Sequence, residues 1–303
     1  MRTGVTLALL AACSNGVPPA GSAGSAGSAG SAGSAAGCTQ LPFATSTPVP
    51  EASGAAWVEL AGRPALLVVG DSGNRGAYGI VDADTGATLE LGALQLGNSS
   101  DDLEGVAAHD GAIYGIVSPG WIYVWRRANL GFELVDGPYA LGPVDLPPEG
   151  GLGDKPPAGD GMVCDAHGVN CGRNYEGLCL AAHPDAAGCA GYVAAKADGH
   201  LYCVAADAKG RLAVRRDGAI AVDRPGRLAD CAYGDDGALW AGDNLFGLSE
   251  VFRIDRGVAV PFAAIGTGFP EVLAVRGDVF YRMSDTGGAP SLMAKFRCPA
   301  RAE

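Results

Sequence analysis

The chain has few lysines, few histidines and no long apolar run. Only Lys155, Lys196, Lys209 and Lys295 occur, against a formal net charge of −12, so there is no basic stripe to neutralise phosphates and nucleic acid is excluded as a partner. An acidic surface of this kind serves first as a solubility device. No apolar stretch reaches the roughly 18 residues that a membrane-spanning helix requires. Paired C-x-x-C and H-x-x-x-H spacings are missing as well, which removes the usual sequence signs of a structural zinc site.

What is present is strand-and-turn composition. Hydrophobic residues make up 48% of the chain, enough for a core, yet beyond the N-terminus they come in short runs broken by Gly, Asp, Asn and Pro. With the first forty or so residues set aside, about 260 remain, a length that suits one closed β domain.

The N-terminus reads as an address. One positive charge, a short apolar stretch from Val5 and small residues lead to Leu10-Ala11-Ala12-Cys13, the layout of an export signal. These four residues closely resemble the lipobox of bacterial lipoproteins. The resemblance implies a signal peptide over 1–12, lipidation of Cys13 and a membrane partner reached through acyl chains. From Ala20 to Gly37 the chain repeats Ala, Gly and Ser, which cannot bury enough surface to order itself, so residues 13–37 are expected to form a tether with a mean reach of about 25–30 Å. Residues 38–303 are then the folded domain, exported to the cell envelope and placed in the periplasm or at the cell surface.

With Cys13 assigned to lipid, eight cysteines remain: Cys38, Cys164, Cys171, Cys179, Cys189, Cys203, Cys231 and Cys298. An even number in an exported chain predicts disulfides, although spacing leaves their connectivity open. Three pairs are attractive: Cys164 with Cys171 and Cys179 with Cys189, each across a short loop, and Cys38 with Cys298 as a clasp between the ends of the domain.

A repeat dominates the rest. Segments 66–84, 113–125, 192–204, 239–255 and 279–295 each read strand, polar turn, strand. Before four of them lies another strand opening with an acid: Leu103-Glu104-Gly105, Tyr175-Glu176-Gly177, Leu228-Ala229-Asp230 and Pro270-Glu271-Val272. Three or four strands recurring every 40–50 residues or so predict an all-β propeller of five blades, or six if the Pro- and Gly-rich stretch 141–173 conceals one. That stretch is expected to be an insertion stapled by Cys164 and Cys171.

In a propeller the innermost strands line a central channel, so Glu104, Glu176, Asp230 and Glu271 are expected to converge on one mouth. Asp71, Asn74, Asp243 and Asn244, in the turns after the second strands, fall near the same face. Carboxylates brought together repel one another and call for a counter-charge, which a hard cation such as calcium supplies. The alternative is that these acids cap turns and hydrogen-bond neighbouring backbone in a wet channel.

Asp102-Leu103-Glu104-Gly105-Val106-Ala107, Asn174-Tyr175-Glu176-Gly177-Leu178 and Gly70-Asp71-Ser72-Gly73-Asn74 resemble phrases of the SdiA-regulated and esterase-like phytase propellers. That resemblance implies an exported propeller with calcium-binding glutamates at Glu104 and Glu176; the placing of Asp230 and Glu271 beside them rests on the repeat alone. Phytase chemistry itself wants Lys and Arg around the metal, and the sequence shows no such cluster. Serine-hydrolase chemistry fails on order, since Ser72 precedes His109 where trypsin-like proteases have the reverse, and no Asp-x-x-His stands near the C-terminus. Trp121, Trp125 and Trp240 fall on strands and are expected to pack between blades. His167 lies in the stapled loop as an ordinary surface residue. The reading is thus a binding or interaction module for a protein or small-molecule ligand, with calcium as its candidate cofactor. The alternative is a metal-dependent hydrolase of phosphate or ester substrates.

Overall fold

The computed structural model describes residues 37–97, 101–144, 162–222, 224–247, 249–288 and 290–299, and every regular element among them is a strand. Two short strands come first, β1 (Thr39–Leu41) and β2 (Ser46–Pro50). Blade 1 is β3 (Ala52–Leu60), β4 (Arg63–Gly70), β5 (Ala77–Asp82) and β6 (Thr88–Ala93). Blade 2 is β7 (Leu103–His109), β8 (Ala112–Val117), β9 (Trp121–Arg127) and β10 (Phe132–Ala140). Blade 3 is β11 (Tyr175–Leu180), β12 (Gly191–Ala195), β13 (His200–Ala206) and β14 (Leu212–Ala221). Blade 4 is β15 (Leu228–Tyr233), β16 (Leu239–Asp243), β17 (Glu250–Asp255) and β18 (Val258–Ala264). Blade 5 is β19 (Phe269–Arg276), β20 (Val279–Asp285) and β21 (Pro290–Arg297). Its outer edge is completed by β1 and β2, which both pair antiparallel with β21, so the start of the domain closes the last blade. The result is a five-bladed β-propeller, and the described part of the 141–173 stretch adds no sixth blade.

Each blade is too thin to bury its own faces, and the core is accordingly distributed. Five apolar clusters fill the five gaps between neighbouring blades. Leu67 and Trp125 meet between blades 1 and 2, Ile122 and Val193 between 2 and 3, and Leu201 and Phe252 between 3 and 4. Trp240 and Phe280 meet between 4 and 5, and Leu66 and Met283 close the ring between 5 and 1. Trp125 is fully buried, Trp240 nearly so and Trp121 partly, all within these gaps. This closure leaves the inner strands β3, β7, β11, β15 and β19 side by side around the axis, each touching the next.

Four disulfides lock the ring. Cys38–Cys298 clasps its two ends, with Cα atoms 4.2 Å apart, and Cys164–Cys171 staples the loop as expected. The expected Cys179–Cys189 bond is replaced by Cys179–Cys231 and Cys189–Cys203. The reason is lateral. Cys179 on β11 faces Cys231 on the next blade's inner strand, 5.6 Å away between Cα atoms, while Cys189, just before β12, lies 5.4 Å from Cys203 on the paired strand β13. Closeness along a loop is a weaker constraint than adjacency in a sheet. These bonds belong to an oxidising, exported setting. No helix among the described residues is long and apolar enough to cross a membrane. Cys13 and the segment 13–36 lie outside the described residues, as does 145–161.

Candidate functional site at the channel mouth

The register of the inner strands builds the site. Each pairs with the second strand of its blade through one skipped residue near its start: Ser53, Glu104, Glu176, Ala229 and Glu271 in blades 1 to 5. A β-bulge re-aims the side chain of the extra residue, and here the same position bulges five times around the axis. Across each blade, the residue one place beyond the partner of the residue before the bulge is Asp71, Ser118, Lys196, Asn244 or Asp285. One channel mouth is therefore framed by two five-membered sets, Ser-Glu-Glu-Ala-Glu and Asp-Ser-Lys-Asn-Asp.

The glycine after the glutamate has its own cause. A Cβ on Gly54 would stand 2.5 Å from the Glu104 carbonyl oxygen, one on Gly105 would strike the Leu178 amide, and one on Gly177 would meet Asp230 Oδ1 at 2.7 Å. Neighbouring inner strands approach too closely there for any side chain. Blades 4 and 5 differ, with Asp230 and Val272 at this position. The buried Asp230 carboxylate accepts from the Leu273 amide of blade 5 at 2.8 Å and from the Cys231 amide at 2.7 Å. Asp230 therefore joins two blades and stands one residue out of step with the bulged set.

Asp243 is also buried between blades, accepting from the Glu250 amide at 2.7 Å. Behind it the fully buried Arg282 donates to the Asp243 carbonyl, Ser249 Oγ and the Pro270 carbonyl. Burial lowers Arg282 to about 10.

At the mouth itself Asp71, Asp102 and Glu104 come together, each offering a carboxylate oxygen within 4.8 Å of the others. Ser53 Oγ donates to Glu104 Oε2 at 2.6 Å, and Ser118 Oγ donates to Asp102 in a short bond. The Asn170 amide, in the stapled loop, donates to Ser118 Oγ at 2.9 Å and to Asp102 Oδ2 at 3.3 Å. The insertion thus reaches the mouth. Burial pushes Asp71 up to about 7, with the charges of Asp102 and Glu271 adding to it. Burial likewise raises Asp102 and, with Glu176 and Asp71 contributing, holds Glu104 well above the usual carboxylate range.

Across the mouth lies a different arrangement. Lys196 Nζ donates to Glu176 Oε2 at 2.9 Å and stands 3.5 Å from Glu271 Oε1. Asn174 donates to Glu176 Oε1 at 2.8 Å, and Asn244 to Glu271 Oε1 at 3.1 Å. Burial opposes the Lys196 charge, but Glu176 and Glu271 outweigh it and hold the ammonium above its ordinary value. Burial raises Glu176 to about 8 even so, and raises Glu271.

Of the residues expected from sequence, Asp71, Glu104, Glu176, Glu271 and Asn244 therefore meet at the mouth. Asn74 instead folds back to donate to Glu51 Oε2 and to the Asp71 and Ser72 carbonyls. Asp102, Ser53 and Lys196 are members the sequence reading did not single out. Asp102 was readable from its place two residues before Glu104, matching Asn174 before Glu176. Ser72 is at the mouth and His109 at the far end of β7, about 20 Å along the strand, so no serine–histidine pair forms; His167 is exposed. Further along the inner strands the channel becomes a cavity of about 160 Å3 walled by small and apolar residues such as Ala55, Val106, Leu178 and Leu273. Polar chemistry is concentrated at one end.

Neither protein-family models nor curated proteins match this sequence. Among solved structures the chain is similar to the glutaminyl cyclase of Myxococcus xanthus, at 13% identity over 87% of this chain and 97% of that one, with a TM-score of 0.51. A luciferin-regenerating enzyme aligns at 12% identity over 80% and 76% of the two chains, TM-score 0.40. Virginiamycin B lyase from Staphylococcus aureus aligns at 10% over 86% and 99%, TM-score 0.39. At 13% identity the likeness to the cyclase is one of fold.

Proposed function

We propose that this is an exported, lipid-anchored binding module that holds a divalent cation at its channel mouth and presents the occupied mouth to a small-molecule or protein partner. The observation that carries the reading is the meeting of Asp71, Asp102 and Glu104 within 4.8 Å. Three carboxyls at that distance in a buried site share protons or share a cation, because they cannot all ionise alone. The donors are all oxygen, which suits a hard ion and makes calcium the best match.

Chain direction supports a role for the exposed mouth. The inner strands start at the mouth, whereas β1 starts at the opposite end, where Thr39 pairs with Arg297. A tether ending at Gly37 would enter the domain at that end. Lipidation at Cys13 would hold the other end of that tether at a membrane.

The test is a calorimetric calcium titration of the full-length protein beside Glu104→Gln and Glu176→Gln. Saturable binding weakened about a hundredfold or more by Glu104→Gln, and far less by Glu176→Gln, supports the reading. Absence of binding to the unaltered protein removes it. A hydrolytic role is the second reading, favoured by Asp71 near 7 and Glu176 near 8, values suited to proton exchange at neutral pH. Turnover of phosphate or ester substrates, lost in either variant, would select it.

A further inference from the structure

On the same face as the carboxyls, one quadrant of the rim is apolar. Phe246 is 61% exposed, Phe269 52%, Leu292 39% and Leu245 36%. They gather around Gly268. The Phe246 and Phe269 rings lie 4.9 Å apart, Gly247 N–H donates to the Gly268 carbonyl at 3.4 Å, and Leu292 reaches within 3.7 Å of where a Gly268 Cβ would stand. Scattered exposed apolar residues need no explanation, but a contiguous group of large ones beside a polar cleft marks a contact surface.

This patch is joined to the ring at Glu271. Phe269 precedes Glu271 by two residues on β19, and Asn244, which donates to Glu271 Oε1, runs directly into Leu245 and Phe246. Inside the rim, Asp71, Asp102, Glu104, Glu176 and Glu271 outnumber the Lys196 ammonium. The surface is therefore acidic within and aromatic at one side. Its complement is a cation carrying an apolar arm, since phenyl faces attract both hydrocarbon and ammonium groups.

We infer that the mouth binds a small organic ammonium ligand, its nitrogen facing the carboxyl ring and its hydrophobic arm lying on Phe246 and Phe269. The inference shares with the proposed function the premise that the mouth takes cations, but it depends in addition on the aromatic rim, which the divalent-cation reading does not use.

Calorimetric titration of the full-length protein with 2-phenylethylamine, ethylamine and benzyl alcohol tests it, with calcium titrated separately. Phenylethylamine is expected to bind at least about tenfold more tightly than either fragment. Phe246→Ser, and the double variant with Phe269→Ser, are expected to remove that advantage while leaving calcium affinity within about twofold and the thermal midpoint near that of the unaltered protein. Calcium should compete with the amine. Equal affinity for phenylethylamine and ethylamine, or an advantage that survives both variants, overturns the inference. So does sedimentation showing that the unaltered protein dimerises through the patch and that Phe246→Ser makes it monomeric. Rim-dependent amine binding without calcium binding leaves this inference standing and removes the divalent-cation reading.

Discussion

The two sides of the channel mouth use equivalent positions in successive blades and solve the same electrostatic problem in different ways. On the side of blades 3 to 5, Glu176 and Glu271 enclose the Lys196 ammonium, and Asn174 and Asn244 cover one oxygen of each acid. On the side of blades 1 and 2, Asp71 stands where blade 3 has lysine, and its neighbours Asp102 and Glu104 are carboxyls steadied by serine hydroxyls. One side carries its cation as part of the chain. The other, on the proposed reading, takes one from solution, and the contrast turns on one place in the repeat, where blade 3 has lysine and blade 1 has aspartate.

The largest expected effect comes from erasing that difference. Lys196→Met leaves Glu176 and Glu271 buried against each other without their ammonium, and removing one member of a buried pair costs about 3 kcal/mol. The loss should be greater at pH 8 than at pH 5, because Glu176, raised to about 8, holds its proton at the lower pH, and Glu271, also raised by burial, needs its counter-charge less there than at pH 8. The same variant should gain a second calcium per chain in calorimetry. Unchanged stability at pH 8 together with unchanged stoichiometry would show that the two sides do not differ as described.

A smaller effect concerns protons. Asp71 is raised to about 7 and Glu176 to about 8, so the folded protein retains protons that the unfolded chain releases from about pH 4 upward. Stability conferred by a raised carboxyl is complete below its unfolded value and is lost as pH climbs through the folded one. Without calcium the thermal midpoint should therefore fall between pH 5 and pH 8. Each retained proton contributes at most about 1.4 kcal/mol per pH unit, and about 2–4 °C accompanies each kcal/mol in a domain of this size. Millimolar calcium should reverse the Asp71 share of the fall at pH 8 and do little at pH 5, since the ion displaces that proton. A midpoint that is flat or rises over this range would argue against buried carboxyls sharing protons.

The blade plan was legible because its second and third strands are apolar enough to stand out between turns, as at Leu66–Asp84 or Tyr192–Val204. The inner strand of blade 1 escaped notice because Ser53 occupies the place where Glu104, Glu176 and Glu271 mark the other blades. Outer strands such as β6, exposed along nearly all its length, carry no burial pattern to read. Asp230 was grouped with the glutamates by its place near a strand start. A one-residue offset against the bulge brings its carboxylate to the Leu273 amide of the next blade, and only the pairing register reveals that. Lys196 was invisible as a site residue for a related reason: it follows a second strand, and nothing local says that its ammonium reaches two glutamates in other strands.

The smallest expected effect separates the two sides most finely. Ser53→Ala removes the hydroxyl that donates to Glu104 Oε2 at 2.6 Å, and Asn244→Ala removes the amide that donates to Glu271 Oε1 at 3.1 Å. Each deletes one neutral hydrogen bond to a buried carboxyl, worth about 1 kcal/mol of stability. They differ in what that carboxyl does. If Glu104 is a cation ligand, losing the hydroxyl that orients it should weaken calcium about tenfold, as loss of an outer hydrogen-bond partner does at metal sites. Glu271, already committed to Lys196, should leave calcium affinity within about twofold when Asn244 is lost. Equal weakening by both variants would mean that the ring responds as one electrostatic unit, with Lys196 belonging to the cation site as its regulator. Weakening by Asn244→Ala alone would move the site to the other side of the mouth.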